Sequence, residues 1–273
     1  MKRIVALLLA LVMLTLSLVA CSKDEEEGEK EQMAVAAGDA YYTPDPTKSD
    51  AFTYERINGD EAMITGFRGD HAPHAVSVPA TIVFKSEDDE NVEITLPVTK
   101  IADAAFRSKT NITAITIPEG IVEIGDFAFA GCSVLTAVAL PTTLTKIGQA
   151  AFAQTALTSV NVPNSVTQIG MAAFWQCTAL ENAVLSQQVV DLADMLFMGC
   201  VNLASVTWSS ALETVGNHAF QGCSALGAGV SFPATLAAVG NYAFADCNAA
   251  LTARPAAGVT VGTNAFFYQA QAN

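Results

Sequence analysis

Ile147-Gly148-Gln149-Ala150-Ala151-Phe152 reads apolar-Gly-x-x-small-Phe, and close relatives of this stretch recur through the C-terminal two-thirds of the chain. They close on Phe106, Phe129, Phe152, Phe174, Phe197, Phe220, Phe244 and Phe266, at steps of 23, 23, 22, 23, 23, 24 and 22 residues. Self-similarity at a fixed period of roughly 20–50 residues marks an array of stacked units, none of which can bury its apolar face alone. The chain is therefore expected to be a solenoid.

One unit, Leu135 to Leu157, shows how such a coil is built. Leu135, Val138 and Leu140 fall at L-x-x-L-x-L spacing, which predicts a strand with those side chains inward, and Pro141 is expected to end it by removing a ladder donor. Leu144, Ile147 and Phe152 follow inward. Gly148 is expected to permit a tight turn, and Ala150-Ala151 to form a short helical turn against the layer beneath. The same skeleton appears as Ile112, Ile115, Ile117, Pro118, Ile121, Ile124, Phe129, and again as Leu157, Val160, Val162, Pro163, Val166, Ile169, Phe174. Copies stacked about 4.8 Å apart would align the phenylalanines into one buried ladder. Local departures are visible too. Leu192-Ala193-Asp194-Met195-Leu196-Phe197 lacks the glycine, and Ser186 and Ser209 stand where other coils have proline.

Upstream of the repeats the pattern becomes short alternating strands. Phe52 to Ile57 and Ala62 to Phe67 flank Asn58-Gly59, a hairpin turn dipeptide. Val76 to Pro79, Ile82 to Phe84 and Val92 to Pro97 continue the series, the last in the strand-then-proline form of the repeats. Residues 51–97 are read as a β-rich cap over the apolar end of the solenoid, which would otherwise meet water.

Strand, Pro, apolar-Gly-x-x-Ala-Phe and then Gly-Cys resembles the BspA-like leucine-rich repeats of bacterial and some protozoan surface proteins. The resemblance covers about residues 51–273. It implies an α/β leucine-rich repeat solenoid of about eight coils over 98–273, strand-rich with short helical turns and preceded by the β-hairpin cap. It also implies a binding or adhesion role. Where many leucine-rich repeats stack asparagines after the strand, this chain has Gly120, Thr143 and Ser165, so that ladder is expected to be absent.

The first residues read as an export signal. Lys2 and Arg3 precede an apolar run, Ile4 to Leu18, too short to be a comfortable membrane span. Leu18-Val19-Ala20-Cys21 resembles a bacterial lipobox, which implies that residues 1–20 are removed and Cys21 is acylated, giving anchorage that a single chain would not. Residues 21–50 read as an acidic disordered tether, beginning Ser22-Lys23-Asp24-Glu25-Glu26-Glu27. Charge alone makes that run a spacer. Lys23, Asp24 and Glu25 also resemble the signal that sends some lipoproteins of the Bacteroidetes type to the outer face of the outer membrane.

Acidic residues outnumber basic ones 27 to 13, which excludes a nucleic-acid partner for want of a basic patch. Residues 101–273 hold only 9 of the acids and 4 of the bases, so the repeats are nearly uncharged. Cys132, Cys177, Cys200, Cys223 and Cys247 recur once per coil, with Thr155 on the vacant rung. Five cysteines cannot all pair and none has C-x-x-C spacing, so a column of buried thiols is expected rather than a metal or redox site. His71, His74 and His218 form no ligand set. No phosphate loop, nucleophile elbow or recurrent carboxylate pair is present, so neither an enzyme nor a cofactor is expected.

Recognition is thus expected to fall to the surface. Period-2 alternation turns Ala114, Thr116, Ala137, Ala139, Ser159, Asn161, Asn182, Val184, Ser205 and Thr207 outward. Of these, Ser159, Asn161, Asn182, Ser205 and Thr207, together with Trp175 in the slot after a ladder phenylalanine, are the candidate ligand-binding residues. Trp208 aligns with Leu140 and Phe232 and is read as core. The expected partner is a protein met by a monomer through shape and short hydrogen bonds. Glycan capture for a nutrient-uptake system and an inert spacer stay open. Phe267 and Tyr268 are expected to plug the last coil.

Replacing Cys21 by Ala should give a protein that is exported but recovered in the soluble fraction. Membrane fractionation checks this, and retention in the membrane pellet would refute the lipobox.

Overall fold

In the computed structural model, residues 51–68, 74–85 and 91–268 are described. The signal and tether segments, Cys21, Lys23, Asp24, Glu25 and His71 lie outside them. Strands are numbered in chain order. β1 (Phe52–Ile57) and β2 (Glu61–Phe67) form an antiparallel hairpin. Ile57 pairs with Glu61, so the loop is Asn58-Gly59-Asp60, and Asn58 and Gly59 take left-handed φ of 51° and 85° to make the turn. β3 (His74–Ser77) and β4 (Thr81–Lys85) follow, and β4 pairs antiparallel with β5 (Glu93–Ile101). Pro97 does not end β5. It faces Thr81 at the point where β5 leaves β4 and continues, from Val98, as the parallel neighbour of β2.

Strands form two sides of the coils, the first side as far as Thr207 and the second as far as Val261. The first side carries β6 (Ile112–Thr116), β8 (Ala137–Ala139), β10 (Ser159–Asn161), β12 (Asn182–Val184) and β14 (Ser205–Thr207). The second carries β7 (Glu123–Ile124), β9 (Lys146–Ile147), β11 (Gln168–Ile169), β13 (Asp191–Leu192), β15 (Thr214–Val215), β16 (Ala238–Val239) and β17 (Thr260–Val261). Pairing within each side is parallel, one coil to the next. The third side holds the phenylalanine ladder. Phe106 to Phe244 are at most 1% exposed, and successive rings stack at 4.9–5.6 Å. Each buried ring contributes about 1.5–3 kcal/mol through removal from water.

The third side corrects the expected α/β class. The described repeats are a strand-rich β-solenoid without a helix, of about seven turns rather than eight, because eight phenylalanines bound seven intervals. Where a helical turn was expected, the residue two before each ladder phenylalanine is left-handed: Ala104, Phe127, Ala150, Ala172, Met195, His218, Tyr242 and Asn264 all have φ of 50–59°. The residue two after it is left-handed as well, at Ser108, Gly131, Gln154, Gln176, Gly199, Gly222 and Asp246. An α-helix requires φ near −63° at every residue, so this alternation forbids one.

Its purpose is visible in the hydrogen bonds. Amides at these two positions and at the phenylalanine between them donate to the next coil, as Phe127, Phe129 and Gly131 do to the carbonyls of Gln149, Ala151 and Ala153 at 2.7–2.8 Å. The amides between them close local turns three residues back, as Ala130 does onto Phe127. The whole segment is thereby satisfied without helix or strand.

Gly148 is required for a different reason from the one its sequence suggested. Its φ is not left-handed; a Cβ there would lie 2.5 Å from the Gly125 carbonyl carbon and 2.6 Å from the Asp126 nitrogen of the coil below. Gly125, Gly170, Gly216, Gly240 and Gly262 meet the same obstruction. Ala193 fills this column where the glycine is missing, and there the second-side ladder lapses: β11 does not pair with β13. On the first side the lapse falls one coil earlier, between β8 and β10, where the spacing shortens to 22 residues.

Polar stacking occurs at positions the sequence reading passed over. The residue after the glycine forms a ladder in which Asp103, Asp126, Asp194, Asn217 and Asn241 each accept, through Oδ1, the backbone N–H of the equivalent residue one coil on, at 2.7–2.9 Å. Ser186 and Ser209 are working substitutes for proline. Their hydroxyls accept the Gln188 and Ala211 amides two residues ahead, at 3.0 and 2.9 Å.

Phe174→Ala should cost about 3–5 kcal/mol through lost burial plus a cavity. Gly148→Ala should cost about 1–3 kcal/mol by forcing coils apart. Asn161→Ala should stay within about 0.5 kcal/mol. Urea denaturation of the three variants checks this ranking, and equal losses at Phe174 and Asn161 would invert inside and outside.

Candidate functional site

Parallel pairing of β10, β12 and β14 assembles most of the candidate residues. Ser159, Asn182 and Ser205 occupy one row across the three strands, and Asn161, Val184 and Thr207 the next. All six side chains are exposed, Val184 at 42%. Ser205 Oγ donates to Asn182 Oδ1 at 2.8 Å, so part of the first row is already aligned. Strands about 4.8 Å apart and alternate residues about 6.8 Å apart make a flat grid of donors and acceptors around one valine. Neither row contains a charge, so attraction there is short-ranged. Ala137 and Ala139 of β8 extend the exposed face toward the cap.

Trp175 is not part of this grid. It follows Phe174 on the ladder side and is only 3% exposed, not the surface aromatic its slot suggested. Its indole Nε1 is buried with no hydrogen-bond partner among the described residues, a state that costs about 1–3 kcal/mol when uncompensated. Ala150, Ala153 and Ala172 on the same side are likewise only 1–3% exposed. Trp208 is half-buried against the core, stacked on Phe232 at 5.8 Å, with Nε1 donating to the Ser231 carbonyl at 2.8 Å. Phe266 is covered in a way the sequence did not announce: the Arg254 guanidinium lies 4.6 Å over its ring, while Phe267 and Tyr268 are 38% and 48% exposed.

The cysteines carry a local hydrogen-bonding role. The thiols of Cys132, Cys177, Cys200, Cys223 and Cys247 donate to the carbonyls of Phe106, Phe152, Phe174, Phe197 and Phe220 in the preceding coil, at 3.0–3.2 Å. Thr155 takes the vacant rung, donating to the Phe152 carbonyl at 2.9 Å and lying 3.2 Å from Cys177 Sγ. All five cysteines are free and buried. Burial pushes the Cys132 and Cys247 thiols up to about 12, and drives those of Cys200 and Cys223 well above the ordinary range. A thiol so held is a weak nucleophile. His218 stacks on Tyr242 at 5.2 Å and its Nδ1 lies 2.7 Å from Gln221 Oε1. Among the described residues, no three His, Cys, Asp or Glu side chains converge on a metal position.

Stacked coils, an inter-coil phenylalanine ladder and parallel strand sides define a strand-rich leucine-rich repeat solenoid. The BspA type leucine rich repeat region matches in six copies, over residues 99–227 and 191–272. The chain belongs to that family. Among solved structures it is similar to a leucine-rich repeat protein from Bacteroides ovatus, with 28% identity, a TM-score of 0.56, and coverage of 72% of this chain and 56% of that one. It is also similar to the Leucine Rich Repeat protein of T. pallidum, with 30% identity, a TM-score of 0.50, and coverage of 66% and 90%. A leucine rich cell surface protein from Faecalibacterium prausnitzii matches with 26% identity, a TM-score of 0.56, and coverage of 85% and 53%. The chain thus spans little more than half the length of the first and third. No curated protein sequence matches.

Four thiols of the column, Cys132, Cys200, Cys223 and Cys247, give stability a pH dependence. Because folding raises these thiol values above those of the unfolded chain, their contribution is complete below about pH 8.5 and is lost as pH rises toward about 12. Urea midpoints should therefore be level from about pH 7 to 8.5 and fall above that, with a shallower fall in Cys200→Thr and Cys223→Thr. Equal slopes in the variants and the parent would refute the thiol contribution.

Proposed function

We propose that this protein is a surface-displayed bacterial lipoprotein, anchored in the outer membrane through Cys21, that binds a protein partner on the exposed face of β10, β12 and β14. The observation that carries the reading is the pair of adjacent uncharged rows, Ser159-Asn182-Ser205 and Asn161-Val184-Thr207, fixed on three paired strands. Sites on regular elements hold their groups more closely than sites on loops, so the grid is preorganised and little order is lost on binding. Support for surface display comes from the relative described as a leucine rich cell surface protein. Lys23, Asp24 and Glu25, beside the lipid anchor, would direct the outward display.

Protein fits this face better than glycan. Sugar-binding sites commonly stack rings on exposed aromatics, and the one aromatic among the candidate residues, Trp175, is buried outside the rows. With no charge in the rows, association should proceed near the unsteered rate of about 10⁵–10⁶ M⁻¹s⁻¹ and respond weakly to salt. The protein acts as a monomer and without a cofactor in this reading.

The test is to display the chain carrying Asn182→Arg and Thr207→Arg on cells and to measure adhesion to a panel of host matrix proteins beside a glycan array. Binding to a matrix protein should fall at least tenfold while the melting temperature stays unchanged. Undiminished protein binding, or binding confined to the glycan array, would overturn the proposal.

A further inference from the structure

Several basic side chains of the described residues have a partner of their own. Lys100 and Lys146 lie 3.4 and 2.7 Å from the Glu123 carboxylate. Arg56 Nε donates to the Gly59 carbonyl at 2.6 Å, and Arg254 Nη1 donates to the carbonyls of Leu251 and Ala253 at 2.9 and 2.8 Å. Arg68 and Arg107 differ. Both are exposed, and neither guanidinium makes a hydrogen bond or an ion pair among the described residues. Arg107 meets only the Phe127 ring, 5.5 Å from its guanidinium carbon.

These two arginines are neighbours. A Cβ added to Gly66 would lie 3.8 Å from the Ala105 carbonyl oxygen, the Phe67 and Phe106 rings stack at 5.8 Å, and Arg68 and Arg107 are the residues that follow. Segments 66–68 and 105–107 thus run side by side, and Lys109 brings a third positive charge two residues on. Like charges set opposite one another repel, so the arrangement carries a cost that an anion held between them removes. The acidic side chain of the same coil, Asp103, is engaged elsewhere, accepting the Asp126 amide through Oδ1 at 2.8 Å. An arginine pair without a carboxylate is an exception in a chain whose net charge is -14.

We propose that Arg68 and Arg107, with Lys109 beside them, bind the phosphates of lipid headgroups in the membrane that carries the anchor. The proposal rests on the lipid-anchor reading of Cys21. A guanidinium offers paired N–H donors that match two phosphate oxygens, so two adjacent arginines suit a surface of phosphates. Their place in the fold points to the same partner. The Arg68 backbone N–H donates to the carbonyl of Ala51 at 2.9 Å, and Ala51 is where the chain from Cys21 enters the described fold. An anchor at Cys21 therefore confines this end of the solenoid to within a tether's length of the headgroups. Basic residues near a membrane act only within a Debye length, about 10 Å, and so few of them would hold a free protein weakly. Tethering makes the contact intramolecular, and a weak contact is then occupied. Docking sets the cap end of the ladder side against the membrane. β10, β12 and β14 lie on another side, so their rows stay open to a protein partner.

The test tethers the full mature chain to vesicles in two ways: by its own lipid on Cys21 and, in Cys21→Ala, by an N-terminal histidine tag on a nickel-chelating lipid. A donor dye is placed on Ser108→Cys, next to Arg107, where the buried cysteines of the repeats do not compete for it, and an acceptor dye is carried on headgroups. Energy transfer should be roughly twofold or more higher on vesicles containing phosphatidylglycerol than on phosphatidylcholine alone. It should fall to the phosphatidylcholine value in high salt, and in the chain that also carries Arg68→Gln and Arg107→Gln, with unchanged circular dichroism. Equal transfer on the two kinds of vesicle, or transfer that the two substitutions leave unchanged, overturns the proposal. Loss of transfer on adding millimolar inorganic phosphate at constant ionic strength would show a site for the free ion and overturns it as well. A chain that stays on vesicles only through the tag refutes the lipid anchor, and the tagged form then decides the arginine pair by itself.

Discussion

The structure depends on the hydrogen bonding of the ladder side, where alternate amides reach across to the next coil. Left-handed residues two before and two after each phenylalanine turn those amides out of the coil plane and toward the neighbour. Once the carbonyls of Ala151 and Ala153 accept from Phe129 and Gly131, coil spacing is set near 5 Å and the rings between them must stack. Other features follow from that spacing. The glycine column has no room for a Cβ, and the thiol of each cysteine comes within reach of a phenylalanine carbonyl in the coil before it.

Continuity is unevenly shared among the three sides. The first strand side lapses between β8 and β10 and the second between β11 and β13, one coil apart, so each strand side is unbroken where the other is interrupted. The phenylalanine stack crosses both lapses, with ring spacings of 5.6 Å at Phe152–Phe174 and 5.4 Å at Phe174–Phe197. Nearest-neighbour coupling governs the stability of repeat arrays, and here its unbroken part is the ladder side. An alanine at position 193 is tolerable for that reason.

The same division organises the surfaces. Strand sides present alternate residues to solvent and can vary them freely, which makes the Ser159–Thr207 rows a place for recognition. The ladder side also varies at its left-handed position, which holds the buried Ala150 and Ala172 in two coils and Phe127, Met195, His218 and Tyr242 in others.

By itself the sequence determined the period, the identity of the buried ladder and the inward or outward sense of each strand residue, because burial is set by a repeating one-dimensional pattern. Asn58-Gly59 likewise marked its turn, since both positions need positive φ. It also suggested helical turns at Ala150-Ala151, good helix formers by local propensity, and there the neighbouring coil prevailed by taking their amides and imposing left-handed φ. Gly148 looked like a flexible turn residue, although only the coil below it decided that a Cβ could not fit. Asp103, Asp126 and Asn217 looked like ordinary surface residues because their partners lie 23 or 24 residues away. Trp175 looked exposed for the same reason. Whether a side chain in a surface slot meets water depends on what is packed beside it, and that is a property of the tertiary structure alone.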